Sequence, residues 1–267
     1  MFPGAVAERG DARYVLFGAP LDRSTTFQPG TRFGPDRVRR FSRAFDDYDH
    51  RTDSRFTDLA VHDAGDLHAW DDVPEYLEFL GGQVRDALAD GAVPLLVGGE
   101  HTVSLAGVRA CEPDVFVALD AHLDLRAEYD GNPLSHATVT RRALETAGEA
   151  VVVGARTGSE AEWERAGADD VTVVPPEDVG EWTPDFEGEA YLSVDVDGAD
   201  PAFAPGTGTM EPFGLFPREM RRIVDRIAPR AVGFDVVEVN DRDDGQAAAL
   251  AGKLLRTFVY ARANGAD

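Results

Sequence analysis

The chain has 267 residues, 43% of them hydrophobic, enough to bury a large core, while 49 acidic residues against 26 basic ones give a formal net charge of -23. That balance excludes nucleic acid and anionic membrane as partners, because both are bound by clustered positive charge. Lys253 is the sole lysine, and a carboxylate-rich surface of this kind fits a halophilic protein in a high-salt cytoplasm, where charge repulsion is screened. The sole cysteine, Cys111, rules out an intramolecular disulfide and stands apart from every cluster described below, so it reads as a small buried thiol. Met1-Phe2-Pro3-Gly4 carries no basic stretch followed by an apolar core, and no apolar run reaches the roughly 18 residues of a membrane span, so a soluble, cytoplasmic protein is expected.

In chain order, Tyr14-Val15-Leu16-Phe17-Gly18 reads as a first buried strand running into a loop from Ala19 to Pro35 that is punctuated by glycine and proline. A loop of that length inside a compact domain is often functional. A helix is expected from Pro35 to about Asp47, with Val38, Phe41 and Phe45 on one face. A short strand, Leu59 to His62, leads into Asp63-Ala64-Gly65-Asp66, and Val73 to Leu88 shows helical spacing ended by Gly91. Val93 to Val97 is a continuous apolar strand stopping at Gly98-Gly99-Glu100-His101-Thr102, with a helix from Val103 to Ala110. Strand 114–120, helix 136–147, strand 150–154, helix 159–166, strand 171–174 and strand 190–195 follow. Helix 217–227, strand 231–237 and a long helix from about Gly245 to Arg262 complete the series. Strands without polar alternation, separated by helices, predict an α/β fold, a mainly parallel sheet covered on both faces. No linker or internal repeat interrupts it, so residues 1–267 read as one domain, with ligands expected beyond the carboxyl ends of the strands.

The chemistry gathers at those ends. In Val115-Phe116-Val117-Ala118-Leu119-Asp120-Ala121-His122-Leu123-Asp124, an extended backbone would place Asp120, His122 and Asp124 on one face, roughly 6.5 to 7 Å apart along the chain. Carboxylates mixed with one imidazole suit a fairly hard divalent ion such as Mn²⁺, although ligand type alone also admits zinc, iron or cobalt. Asp195 and Asp197 in Ser193-Val194-Asp195-Val196-Asp197-Gly198-Ala199-Asp200-Pro201 again share a face, with Val194 and Val196 turned to the core. His101 closes a third strand after two glycines that permit a tight bend. An isolated Asp-x-Asp is ordinarily a turn or solvated surface, and a lone histidine a structural residue. Six such side chains from three strand ends, however, can enclose two ions about 3.5 to 4 Å apart. One ion would leave several acids unpaired at close range. His50, His62 and His68 stand in no such setting and read as surface or supporting residues.

The motifs Gly98-Gly99-Glu100-His101-Thr102, Asp120-Ala121-His122-Leu123-Asp124 and Ser193-Val194-Asp195-Val196-Asp197-Gly198-Ala199-Asp200-Pro201 closely resemble those of the ureohydrolases, the arginase and agmatinase family, in order and spacing. The resemblance extends from Pro29-Gly30-Thr31-Arg32-Phe33-Gly34-Pro35 to Asp235-Val236-Val237-Glu238-Val239-Asn240 and is closest to the archaeal and bacterial agmatinases. It implies a three-layer α/β/α sandwich and a homo-oligomer, trimer or hexamer. It also implies two Mn²⁺ per subunit. One would be held by His101, Asp120, Asp124 and Asp195 and the other by Asp120, His122, Asp195 and Asp197, with Asp120 and Asp195 bridging. By the same comparison His136 is the proton shuttle and Glu238 the carboxylate for a small cationic guanidino substrate.

The implied reaction is hydrolysis of agmatine to putrescine and urea by a hydroxide bridging the metals, whose pKa the two ions lower far below the bulk-water value of about 15.7. Glu238 would orient the planar cation through charge-assisted hydrogen bonds, and His136 would protonate the leaving amine. For the substrate's distal amine, Glu128 or Asp130 in Leu125–Leu134 is a candidate, with acidic surface as the plain alternative. Arg126 would suit a carboxylate instead and keeps a guanidino-acid hydrolase or an arginase open. A catalytically silent homologue would show loss of a ligand, of His136 or of Glu238, and none is lost. Two residues depart from the family pattern. Phe213 replaces a glycine and is expected to narrow the pocket rim, and Asp241 stands where a proline is usual.

Overall fold

The apolar runs become strands of one sheet. The computed structural model describes residues 1–265. Its elements in chain order are β1 (Tyr14–Ala19), α1 (Gly34–Phe41), β2 (Tyr48–Asp49), β3 (Ser54–Arg55), β4 (Val61–Asp66), α2 (Val73–Ala89), β5 (Val93–Gly98), α3 (Ser104–Cys111) and β6 (Val115–Leu119). There follow α4 (Val139–Ala143), β7 (Glu149–Val153), α5 (Glu160–Ala166), β8 (Val171–Val174), β9 (Ala190–Asp195), α6 (Pro217–Ile227), β10 (Ala231–Val237) and α7 (Gln246–Asn264).

Among the described residues, eight strands form a sheet in the order β4-β1-β5-β10-β9-β6-β7-β8, and β2 pairs with β3 in a small hairpin. Every pairing within the large sheet is parallel. A parallel sheet needs cover on both faces. One face packs under α2, α3 and α4, the other under α1, α6 and α7. The amphipathic spacing of α6 buries Met220, Ile223, Val224 and Ile227, the i, i+3, i+4, i+7 stripe of a helix on a core. Pro94 sits in the inner strand β5 without breaking it, because β10 pairs only with Leu95, Leu96 and Val97. β5 and β6 are consecutive in the chain but separated by β10 and β9 in the sheet. The four strands β5, β10, β9 and β6 therefore present their carboxyl ends side by side at the place where the winding reverses, the usual crevice for a ligand in such sheets.

Several boundaries differ from expectation. The helix expected from Pro35 to Asp47 ends at Phe41. It tightens into a 3₁₀ turn at Ser42–Ala44 and leaves extended at Phe45, because Ser42 packs directly beneath Gly252 of α7. The expected helix 136–147 is a 3₁₀ turn, His136–Thr138, followed by the five-residue α4. The hydroxyl of Thr138 donates to the Pro133 and Ser135 carbonyls at 3.1 and 2.8 Å and competes with regular helix there. Strand β4 begins at Val61 and takes in Asp63 to Asp66. It is an edge strand, where Gly65 and two acids are tolerated, and the buried Arg39 of α1 pairs with both acids. Cys111 is half-buried at the end of α3, and burial pushes its thiol pKa up to about 12.

Candidate metal centre

Each of the four neighbouring strands delivers its functional side chains by a different local device. Beyond β5, Gly99 lies against the backbone of Leu21, where any Cβ would overlap the Leu21 carbonyl. This close approach turns the chain into a 3₁₀ turn that carries His101, 1% exposed, to the rim. Beyond β6 the extended alternation expected for Asp120, His122 and Asp124 is not what brings them together. The strand ends at Leu119, Asp120 Oδ1 accepts the His122 amide at 2.7 Å, and Asp124 takes a left-handed backbone at φ 51°. A bend converges side chains that a straight strand would hold roughly 6.5 to 7 Å apart. At β9, Asp195 is the last strand residue, and its Oδ1 accepts the Asp197 amide at 2.9 Å, closing a 3₁₀ turn rather than extending the strand. Gly198 in that turn lets the backbone pass the Asp120 amide, which a Cβ would approach to 3.0 Å. Val194 and Val196 are fully buried, as expected.

The six side chains meet. His101 Nδ1 lies 3.0 Å from Asp124, 3.1 Å from Asp120 and 3.7 Å from Asp195, each to Oδ2. His122 Nδ1 lies 3.0 Å from Asp197 Oδ2 and 3.5 Å from Asp120 Oδ1. Two groups, His101-Asp120-Asp124 and Asp120-His122-Asp197, bring their ligand atoms within 4.8 Å of one another and share Asp120. Among the described residues no lysine or arginine forms an ion pair with Asp120, Asp124, Asp195 or Asp197.

The electrostatics follow from that crowding. Burial, then the charges of Asp197, Asp120 and Glu238, raise the Asp195 pKa well above the usual carboxylate range. Burial and Asp120 push Asp124 up to about 7. Burial disfavours a charged His122, yet Asp197 and Asp120 outweigh it and push the imidazole up to about 12. Asp120 is held below the carboxylate range because His101 and His122 outweigh its own desolvation. Its Oδ2 nevertheless accepts no hydrogen bond among the described residues, being out of line with the nearby imidazole. A buried, unpartnered carboxylate oxygen amid three further acids fits divalent cations.

Glu238 follows β10 at φ 61°. Its amide donates to the Gly99 carbonyl, and its Oε1 accepts the His101 amide, both at 2.8 Å. His136 is placed through its backbone. Its amide donates to Ser24 Oγ at 2.9 Å, and Ser24 in turn donates to the fully buried Glu100 at 2.7 Å. The His136 Nε2 is buried without a partner among the described residues, and burial lowers its pKa. Both side chains line a cavity of about 460 Å³ together with His101, His122, Asp124, Asp195 and Asp197.

Of the other cavity residues, Glu162 and Tyr129 carry no sequence signal. Glu162 of α5, 4% exposed, lines the wall, and Arg126 pairs with it at 3.2 Å while lying 5.2 Å over the Tyr129 ring. Glu128 and Asp130 are exposed and do not line the cavity. Phe213 does not narrow the rim. It is 86% exposed and does not line the cavity, and Asp241 is likewise exposed. His50 and His68 are exposed, and His62 bonds the Ala7 carbonyl at 2.9 Å. Arg156 was also unmarked. From the end of β7 its guanidinium donates to carbonyls of Gly154, Asp197, Gly198, Ala199, Glu211 and Pro212, at 2.7 to 3.3 Å, clamping the Asp197 turn to the loop before α6. A lone arginine after a buried strand was the available signal.

The parallel α/β sheet thus gathers an acid-rich, metal-binding type of cluster at its switch point, and the family match gives that arrangement its class, the ureohydrolases. Residues 12–260 match the Arginase family, and the chain belongs to that family. It is 35% identical to an agmatinase of Bacillus subtilis over 97% of this chain and 95% of that protein. It is 33% identical to an N(1)-aminopropylagmatine ureohydrolase of Thermococcus kodakarensis, covering 94% and 91%. The crystal structure of an agmatine ureohydrolase of Thermoplasma volcanium superposes with a TM-score of 0.93 at 35% identity, covering 98% of this chain and 94% of that one.

Proposed function

We propose that this protein is a Mn²⁺-dependent agmatinase that hydrolyses agmatine to putrescine and urea. The observation that carries the reading is the convergence of six ligand-type side chains around Asp120, with Glu238 and His136 facing the same cavity. Agmatinases among its relatives support agmatine as the substrate. His101, Asp120, Asp124 and Asp195 would hold one cation, and Asp120, His122, Asp195 and Asp197 the other. Bound there, divalent cations would acidify water and supply a nucleophile at neutral pH.

The remaining work falls to this chain's own groups. Glu238 has one oxygen committed to the His101 amide, and its other oxygen accepts N–H groups of the planar guanidinium, fixing the carbon that is attacked. His136, kept neutral by burial, is placed to accept at Nε2 the proton that the attacking water gives up and to deliver it to the departing nitrogen. The C–N bond to that nitrogen then breaks, leaving urea and a free amine. Arg126 is paired with Glu162, whose negative charge offsets its own in the cavity wall, which favours an amine over a guanidino acid. The family resemblance and the charge of -23 support a homo-oligomer, trimer or hexamer, working in a salt-rich cytoplasm.

The test is urea release with Mn²⁺ at high KCl, comparing agmatine, N1-aminopropylagmatine, arginine and 4-guanidinobutyrate. Agmatine is expected to give the highest kcat/KM. Preference for another guanidino compound would move the substrate assignment, and absence of urea from all four with folded, metal-loaded protein would end the enzymatic reading.

A further inference from the structure

Besides Glu100, a second fully buried carboxylate lies outside both the cavity lining and the ligand group. Asp235, in the inner strand β10, stands beside Ser193 of β9 and Leu96 of β5 in the sheet register. A carboxylate in that position is costly unless it is hydrogen-bonded. Its Oδ1 accepts the Ser193 hydroxyl at 2.6 Å, and Ser193 Oγ lies 3.0 Å from His101 Nε2, with Ser104 Oγ a further neighbour at 3.3 Å. A serine hydroxyl has one proton to give. Because Ser193 gives it to Asp235, it meets the imidazole as an acceptor, and Nε2 carries hydrogen. Nδ1 is then the nitrogen turned to Asp124 and Asp120, at 3.0 and 3.1 Å.

We propose that Ser193 and Asp235 are positioning residues, a hydrogen-bonded chain that holds His101 with Nε2–H directed into the sheet and Nδ1 directed at the cation site. The assignment rests on the reading of this site as a metal centre. Residues that orient a ligating imidazole in this way are ordinarily worth 10- to 100-fold in metal affinity. The two residues are adjacent in the sheet and 42 positions apart in the chain, and only the order β10-β9 brings them together.

Two variants test it, each checked for folding by circular dichroism. Ser193→Ala removes the acceptor, and Asp235→Leu frees the Ser193 proton to turn toward Nε2. Titration calorimetry with Mn²⁺ is expected to show about 10- to 100-fold weaker binding in both. In metal-free protein labelled with ¹⁵N-histidine, the wild type should show a hydrogen-bonded His101 Nε2–H signal. Asp235→Leu, in which the Ser193 hydroxyl is no longer held as an acceptor, and Ser193→Ala, which removes it, should each shift that signal away from its hydrogen-bonded position. Mn²⁺ affinity within about threefold of wild type in folded Ser193→Ala, or a Nε2–H signal unchanged in Asp235→Leu, would overturn the proposal. Should Asp235→Leu not fold, the affinity and signal of Ser193→Ala decide alone. If the wild type binds no Mn²⁺, the metal reading falls, while the wild-type Nε2–H signal still decides how His101 is held.

Discussion

Asp120 is the residue on which the site turns, because both ligand groups include it and one of its oxygens has no hydrogen-bond partner among the described residues. Asp120→Asn should lose bound Mn²⁺ and urea release together, whereas Glu238→Gln should keep its metal by elemental analysis and lose agmatine binding as a raised KM. His136→Asn is expected to keep the metal and lower kcat by about 10²- to 10⁴-fold, the usual value of a positioned proton donor. A kcat within a few-fold of wild type would remove His136 from proton transfer. Arg156 acts through backbone. Its replacement by alanine would orphan carbonyls of the Asp197 turn, at a cost on the order of 3 kcal/mol in urea denaturation and with weakened metal binding.

At the scale of elements, the site depends on how strands stop rather than on how they run. The expectation that Asp120, His122 and Asp124 share a face of a strand named the right residues for an incomplete reason. Extended backbone would spread them, and the bend after Leu119 with the left-handed Asp124 gathers them. Gly99→Ala tests this dependence. A methyl group on the Leu21 carbonyl forces the β5 exit to move and should lower both thermal stability and Mn²⁺ affinity. Asp72→Ala is the contrasting case. Asp72 caps α2 by accepting the Glu75 amide at 2.9 Å and lines no part of the cavity, so its loss should cost about 1 kcal/mol and leave urea release per folded molecule unchanged.

At the scale of the whole molecule, pH and salt act through the buried acids and the surface charge. In the metal-free protein Asp124 is pushed from the ordinary 3.8 up to about 7. The folded state therefore favours its proton, and that contribution to stability is complete below about 3.8 and is lost as pH rises through about 7. His122, raised from 6.5 to about 12, loses its contribution over the higher window between those values, so both trends run the same way near neutrality. Metal-free protein should thus melt at a lower temperature at pH 8 than at pH 5.5, in thermal scans with a chelator. Mn²⁺ should reverse the order, because deprotonated ligands bind it better. A metal-free melting temperature that rises between those pH values would contradict the placement of these groups. Raising KCl from about 0.1 M to about 2 M should also raise the melting temperature, as a surface at -23 is screened.

Apolar runs without alternation identified the parallel sheet and its two covering layers, since a strand buried on both faces has no polar side to show. The bounds of β8, β9, α6 and β10 follow the expected ones, because there the change of period coincides with the change of structure. Motif spacing likewise singled out His101, Asp120, His122, Asp124, Asp195 and Asp197, residue types whose chemistry declares itself. Tertiary structure alone decided the rest. Phe213 faces solvent, Arg126 is paired with Glu162, Arg156 clamps six carbonyls, and Asp235 reaches His101 through Ser193. Each depends on which strands lie side by side and on where a backbone turns. Such contacts join residues far apart in the chain, so no local pattern of hydrophobicity or spacing records them.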